Sequence, residues 1–204
     1  MAQVKFTKSE LRSQQLKLAQ LEKYLPTWQL KKAMLQLEVN QCAAELEDAE
    51  NEFSSVKASV ASFSPLLGEK IDFNVFAQSE VESVKKDYEN IAGVEIPAFQ
   101  DMKFKDADYF LFDTPIWADA ALSKIKDLLR AKEIVKIIRE KKRALFTELR
   151  EVSIRVNLFE KILIPRTKEN IKKIKIFLGD QQLAEIAQAK VAKSKLEARK
   201  VESI

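Results

Sequence analysis

Apolar residues in the last third of the chain recur at alternating steps of three and four. From Leu128 the row reads Leu128, Ala131, Val135, Ile138, Lys142, Leu145, Leu149, Val152, Val156, Phe159 and Leu163, with one lysine in an otherwise apolar series. A mean step of about 3.5 residues is the period of a left-handed two-helix supercoil. So thin a stripe is not stable facing water and calls for a partner helix. The start of the chain carries a matching row: Leu11, Gln14, Leu18, Leu21, Leu25, Trp28, Lys32, Leu35, Val39, Cys42, Leu46, Ala49, Phe53, Val56, Val60 and Phe63. Two seams around a short middle predict a mainly α fold: a long antiparallel two-helix coiled-coil hairpin with a small β-containing cap at the bend. The expected parts are a first helix over 1–63, a cap over 64–116 and a second helix over 117–204. With Val60 level with the start of the second helix, Lys32 falls opposite Lys142, which predicts a wet or splayed layer there.

Punctuation along the chain refines this picture. Thr7 with Glu10 three residues on has capping-box spacing, so the first helix starts there. Pro26 costs a helix interior about 3 kcal/mol, yet the seam keeps phase from Leu21 through Leu25 to Trp28, which predicts a kinked but continuous helix. Ser64-Pro65 and Gly68 end it. Ile71 to Phe76 alternates like a strand, Val81 to Tyr88 fits a helix or a strand, and Asn90 to Gly93 reads as a turn before a short strand, Val94 to Ile96, that stops at Pro97. Tyr109 to Phe112 is an aromatic run suited to a minor core. Thr114 and Pro115 suit the cap and first position of the second helix. Near Pro165 the seam steps by four and four, from Leu163 through Thr167 to Ile171, which predicts a local unwinding and a bend. Gly179-Asp180 should weaken the helix. By antiparallel counting, residues beyond about 178 pass the N-terminus and must bind something else or fray.

Composition narrows the chemistry. Among 204 residues there are 3 glycines, 5 prolines and no histidine, and charged residues make up 32%. Imidazole-based triads, bases and metal sites are thereby excluded. Cys42 is the single cysteine and sits on the first seam, where a packed thiol is expected. Phosphate loops, paired-cysteine metal motifs and nucleophile elbows are missing from the sequence. Asp106 and Asp108 form an acidic pair, but nothing predicts a cleft around them. No cofactor or metal is expected, and no segment is apolar enough for direct membrane insertion. Net charge is +4, with an acidic stretch from Glu45 to Glu52 and a basic second helix from Lys141 to Lys175. Part of that asymmetry should be internal pairing. The residues thus describe a non-catalytic structural or mechanical element.

One segment is more specific. Arg155-Val156-Asn157-Leu158-Phe159-Glu160-Lys161-Ile162-Leu163-Ile164-Pro165-Arg166 resembles the R-V-N-A-L-E-x-x-x-I-P-R pattern of the D subunits of V-type and archaeal-type rotary ATPases. Phe6 to Leu11 is similar to that family's opening P-T-x-x-x-L, and Val84 to Pro97, including Glu89-Asn90-Ile91-Ala92-Gly93-Val94, to its V-E-N-I-x-G-V-x-x-P. The resemblance spans nearly the whole chain. Glu22 to Trp28 departs from the family's Gly-His-Lys run, which marks a divergent member.

The resemblance implies a central rotor shaft without catalytic residues of its own, cytoplasmic and peripheral to a membrane-bound complex. Such a shaft couples ATP hydrolysis or synthesis to proton or sodium transport. The implied partners are a hexamer of A and B subunits around the long helices and other central-stalk subunits near the cap, with no nucleic acid. Arg155, Asn157, Glu160, Pro165 and Arg166 become candidates for partner contact or for fixing the bend. The expected seam includes Leu21, Trp28, Leu35, Leu46, Phe53, Leu145, Leu149, Val152, Val156 and Phe159. Two other classes share the hairpin: a coiled-coil scaffold or secretion stalk needs no ATPase ring, and a basic nucleic-acid-binding hairpin would show a steep salt dependence.

Overall fold

The computed structural model describes residues 5–62, 64–67, 78–105 and 114–202. The expected strand Ile71 to Phe76, the aromatic run Tyr109 to Phe112, the acidic pair Asp106 and Asp108, Gly68 and the seam's last residue Phe63 lie outside them. The fold is mainly helical. Helix α1 spans Lys8–Ala61, and a single helical turn, α2, spans Ser64–Leu67. Strands β1 (Val81–Ile91) and β2 (Val94–Phe104) form an antiparallel hairpin. Helix α3 (Ala118–Leu158) passes into a π-helical segment, Phe159–Leu163, and then into α4, Ile164–Glu202.

The chain divides into two compact units, Lys31–Val152 and the combination of Met1–Leu30 with Ser153–Ile204. In the first, the later part of α1 runs antiparallel to α3. Cys42 Sγ lies 3.7 Å from the Ile138 carbonyl, and Lys31 pairs with Glu148 at 2.7 Å. Leu35, Val39, Cys42 and Ala49 of α1 and Ala131, Val135, Leu145, Leu149 and Val152 of α3 are buried, as the stepped rows require. Leu46, Phe53, Val56 and Val60 are half-buried on the same face. Leu122 and Ile125 form a small cluster with Val60, Trp117 and Leu129.

The register differs from the expected one. The Cys42–Ile138 and Lys141–Glu45 contacts put Lys142 level with residues 38–44, at least six positions from Lys32. At about 1.5 Å per residue that is roughly 9 Å, so the two lysines do not face each other. A strict repeat packs equally well after a slip of one heptad, and the ion pairs fix which slip is used.

The hairpin belongs to the same unit and lies lengthwise against its helices. Lys126 sits over the Phe104 ring, 5.5 Å from its centre, Lys86 pairs with Glu140 at 2.7 Å, and Val94 borders Arg143, Ala144 and Thr147. Ten strand steps of about 3.3 Å and twenty helix steps of about 1.5 Å span nearly the same length, which is why one hairpin covers α3 over that stretch. Ile96 and Ile137, each 1% exposed, border the same hollow beneath it. Val81 to Tyr88 is a strand. The turn uses Ala92 at φ 52° and Gly93 at φ 83°, the pair of left-handed residues that a two-residue hairpin loop demands. Strand β2 does not stop at Pro97 but continues to Phe104, with Pro97 opposite Tyr88. Alternating from the turn, this is a position where no ladder N–H is required, so proline is tolerated.

In the other unit α1 begins as its sequence requires: the Glu10 N–H donates to Thr7 Oγ1 at 3.2 Å. Glu10's carboxylate accepts from Gln14 at 2.8 Å rather than folding back on the cap. The helix passes Pro26 without a break. Leu11, Gln14, Leu18, Leu21, Leu25 and Trp28 are half-buried, and across from them Val156, Thr167, Ile171 and Ile174 are buried. Helix α4 also passes Gly179 unbroken. The start of α3 falls at Ala118, three residues after the expected first position, Pro115, because a turn from the Pro115 carbonyl to the Ala118 N–H comes first.

Candidate partner interface

Pro165 sits two residues beyond the end of the π segment. In an α-helix its ring would press on the carbonyl of Lys161, four residues back. The preceding turn is widened instead: the Ile164 N–H reaches the Phe159 carbonyl, five residues back. The extra residue also accounts for the slip in the apolar row, since Val156 and Thr167 both remain buried on either side of it. Thr167 is 4% exposed and satisfies its hydroxyl on the Leu163 carbonyl at 2.7 Å.

Two of the five candidate residues turn toward α1. Arg155 lies over the Trp28 ring, 5.2 Å from its centre, a cation–π geometry. Glu160 accepts a hydrogen bond from Gln29. Asn157 and Arg166 are exposed, and Pro165 is exposed beside them. The structure therefore joins Arg155 and Glu160 to Trp28 and Gln29 and leaves Asn157 and Arg166 facing outward. Gln29 and Thr167 are additions to the candidates read from the sequence. Thr167 carried a signal, a polar residue on an apolar row at the phase slip. Gln29 carried none, because it is off the seam.

Beyond this cluster, Lys168 pairs with Glu22 at 2.9 Å, and the rings of Phe6 and Phe177 are 5.0 Å apart. Past Gly179 every side chain from Asp180 to Leu196 is exposed, including Leu183, Ile186, Val191 and Leu196. Leu183, Ile186 and the basic Lys190, Lys193 and Lys195 share this stretch of α4.

Among the described residues no cluster of three metal-ligating side chains is present, and no helix is long and apolar enough to cross a membrane. Cys42 is 1% exposed, and burial pushes its thiol pKa up, away from the reactive thiolate. The acidic stretch of α1 is partly taken up by ion pairs, Glu45 with Lys141 at 2.9 Å and Glu50 with Arg139 at 2.7 Å.

Comparison with known proteins agrees over nearly the full length. Residues 10–194 match the family model for the D subunit of ATP synthase. The chain is 41% identical over 203 residues to the V-type ATP synthase D subunit of Chlamydia caviae, covering 99% of this chain and 98% of that one. It is 42% identical over 203 residues to the protein of the same name from Chlamydia felis, with the same coverage. Against that from Chlamydia trachomatis serovar L2 it is 38% identical over 200 residues, covering 98% of each.

Proposed function

This chain belongs to the family of ATP synthase D subunits, non-catalytic central-stalk proteins that couple the rotor of a V/A-type ATPase to its catalytic hexamer, and we propose that a hexamer of A and B subunits surrounds its long helices. It acts with the other subunits of that complex. The exposed stretch from Asp180 to Leu196 carries the finer reading: four large apolar side chains stand in water on a helix that is not apolar enough to cross a membrane. Such a stretch is suited to a protein sleeve. Asn157 and Arg166, outward beside the π turn, are assigned to partner contact, while Arg155 and Glu160 fix that turn against α1. The β hairpin, within the 64–116 segment, is assigned to the other central-stalk subunits. The complex stands at a membrane, with this chain peripheral to it, and the transported ion is a proton or sodium.

The test is capture of the tagged chain at mild salt, followed by mass spectrometry. Nucleotide-binding A and B subunits in near-equal recovery are expected. Removing residues 180–204 should abolish their recovery without unfolding the remainder. Undiminished recovery after that truncation would refute the assignment of the sleeve to this stretch.

A further inference from the structure

Both helices of the Met1–Leu30 and Ser153–Ile204 unit carry a proline, and the contacts around them set the prolines at one height. Gln29 donates to Glu160, and Glu22 pairs with Lys168. Between those two ties α1 places Pro26, and the facing chain places Leu163, Ile164 and Pro165. From Gln29 back to Glu22 is seven residues, and from Glu160 to Lys168 is eight. The surplus residue is what a π turn inserts.

A helix weakened at one point is ordinarily splinted by an intact neighbour. Here both lose ladder hydrogen bonds at the same level. Pro26 has no N–H for the Glu22 carbonyl. Pro165 has none for its own preceding turn, where the Ile164 N–H already reaches five residues back. Thr167 adds a hydroxyl bonded to the carbonyl four residues before it, a contact that favours bending. Above and below the level, side chains tie the helices together: Arg155 over Trp28 and Gln29 to Glu160 on one side, Glu22 to Lys168 on the other.

We propose that residues 22–30 and 157–168 form a conformational joint that opens as one cooperative unit, closed by the Trp28–Arg155 and Gln29–Glu160 contacts. The paired prolines remove the backbone resistance to opening, and the side-chain ties supply the restoring contacts. The joint is a property of this chain's own helices and does not depend on which partners it meets.

Hydrogen–deuterium exchange on the full chain tests it. Amides in both windows should exchange about tenfold faster than those of residues 11–20 and 170–176 in the same helices. Residues 11–20 lie nearer the N-terminus, so fraying from that end gives the opposite order. Pro26→Ala should slow exchange in 157–168 as well as around residue 26, although nothing in 157–168 has changed. Trp28→Leu should speed both windows together. Equal protection in windows and flanks, or a Pro26→Ala effect confined to 22–30, would overturn the proposal.

Discussion

At the residue scale, two side chains show how burial and charge trade against each other. Lys141 is partly buried beside Cys42. Burial pulls its ammonium pKa down, but the hydrogen bond and charge of Glu45 outweigh that, and the pKa stands above 10.5. A folded pKa above the unfolded one means that the pair's stabilisation is complete below pH 10.5 and is lost as pH rises through the folded value. Thermal unfolding between about pH 9 and about pH 11.5 should therefore show a steeper fall for the native chain than for Glu45→Gln, and parallel curves would contradict the pairing. At Cys42 burial outweighs the opposing charge of Lys141. The thiol lies against the Ile138 carbonyl with 1% exposure, and burial raises its pKa. A thiol reagent at neutral pH should label it only as fast as the chain unfolds locally, with rapid labelling appearing in denaturant. Fast labelling of the native chain would place the thiol elsewhere.

At the scale of elements, the stepped seam decides which positions carry weight. Leu35 and Leu145 are 0% exposed, whereas Leu37, two residues from Leu35, is 57% exposed. Leu35→Ala or Leu145→Ala should cost about 2–5 kcal/mol in chemical denaturation. Leu37→Ala should change stability by less than about 0.5 kcal/mol. In the hairpin, the signs of two substitutions should differ. Gly93→Ala puts a side chain at φ 83°, where a Cβ would find only an ordinary contact with Lys31 Nζ at 3.8 Å, so backbone strain of about 1–2 kcal/mol is the expected loss. Ala92→Asn places at φ 52° a residue that suits it and should stabilise the turn. Exchange protection of the β1–β2 amides reads both.

The seam of α1 was legible residue by residue because a periodic stripe reports its own buried face. Ile137 was not legible. It lies off the seam, and its burial comes from Ile96 and the hairpin, a contact between distant parts of the chain. The only hint was three isoleucines, at 134, 137 and 138, too broad for a two-helix contact. The register also escaped, because heptads repeat. At the candidate interface, the proline and phase slip at Pro165 signalled the irregular turn, but the turning of Arg155 and Glu160 toward α1 depends on register and could not be read.

At the scale of the whole molecule, ion pairs take up part of the charge asymmetry between α1 and the later helices. Glu45 with Lys141, Glu50 with Arg139 and Glu22 with Lys168 tie acidic α1 to the basic helices within each unit. The exposed pairs among them, Glu50 with Arg139 and Glu22 with Lys168, contribute about 0–1 kcal/mol each, so they select register more than they stabilise. The exposed stretch of α4 from Asp180 to Leu196 adds four large apolar side chains beside three lysines, one aspartate and one glutamate. The central claim is that this stretch turns within a ring of catalytic subunits. The most direct measurement uses the fact that Cys42 is the chain's single cysteine and is buried. Place one exposed cysteine at Ile186, join it by a disulfide to a cysteine on one of the A or B subunits proposed to surround it, and follow ATP-driven ion transport in the intact complex. Transport should stop on cross-linking and return on reduction. A cross-linked complex that still pumps at its full rate would contradict the claim.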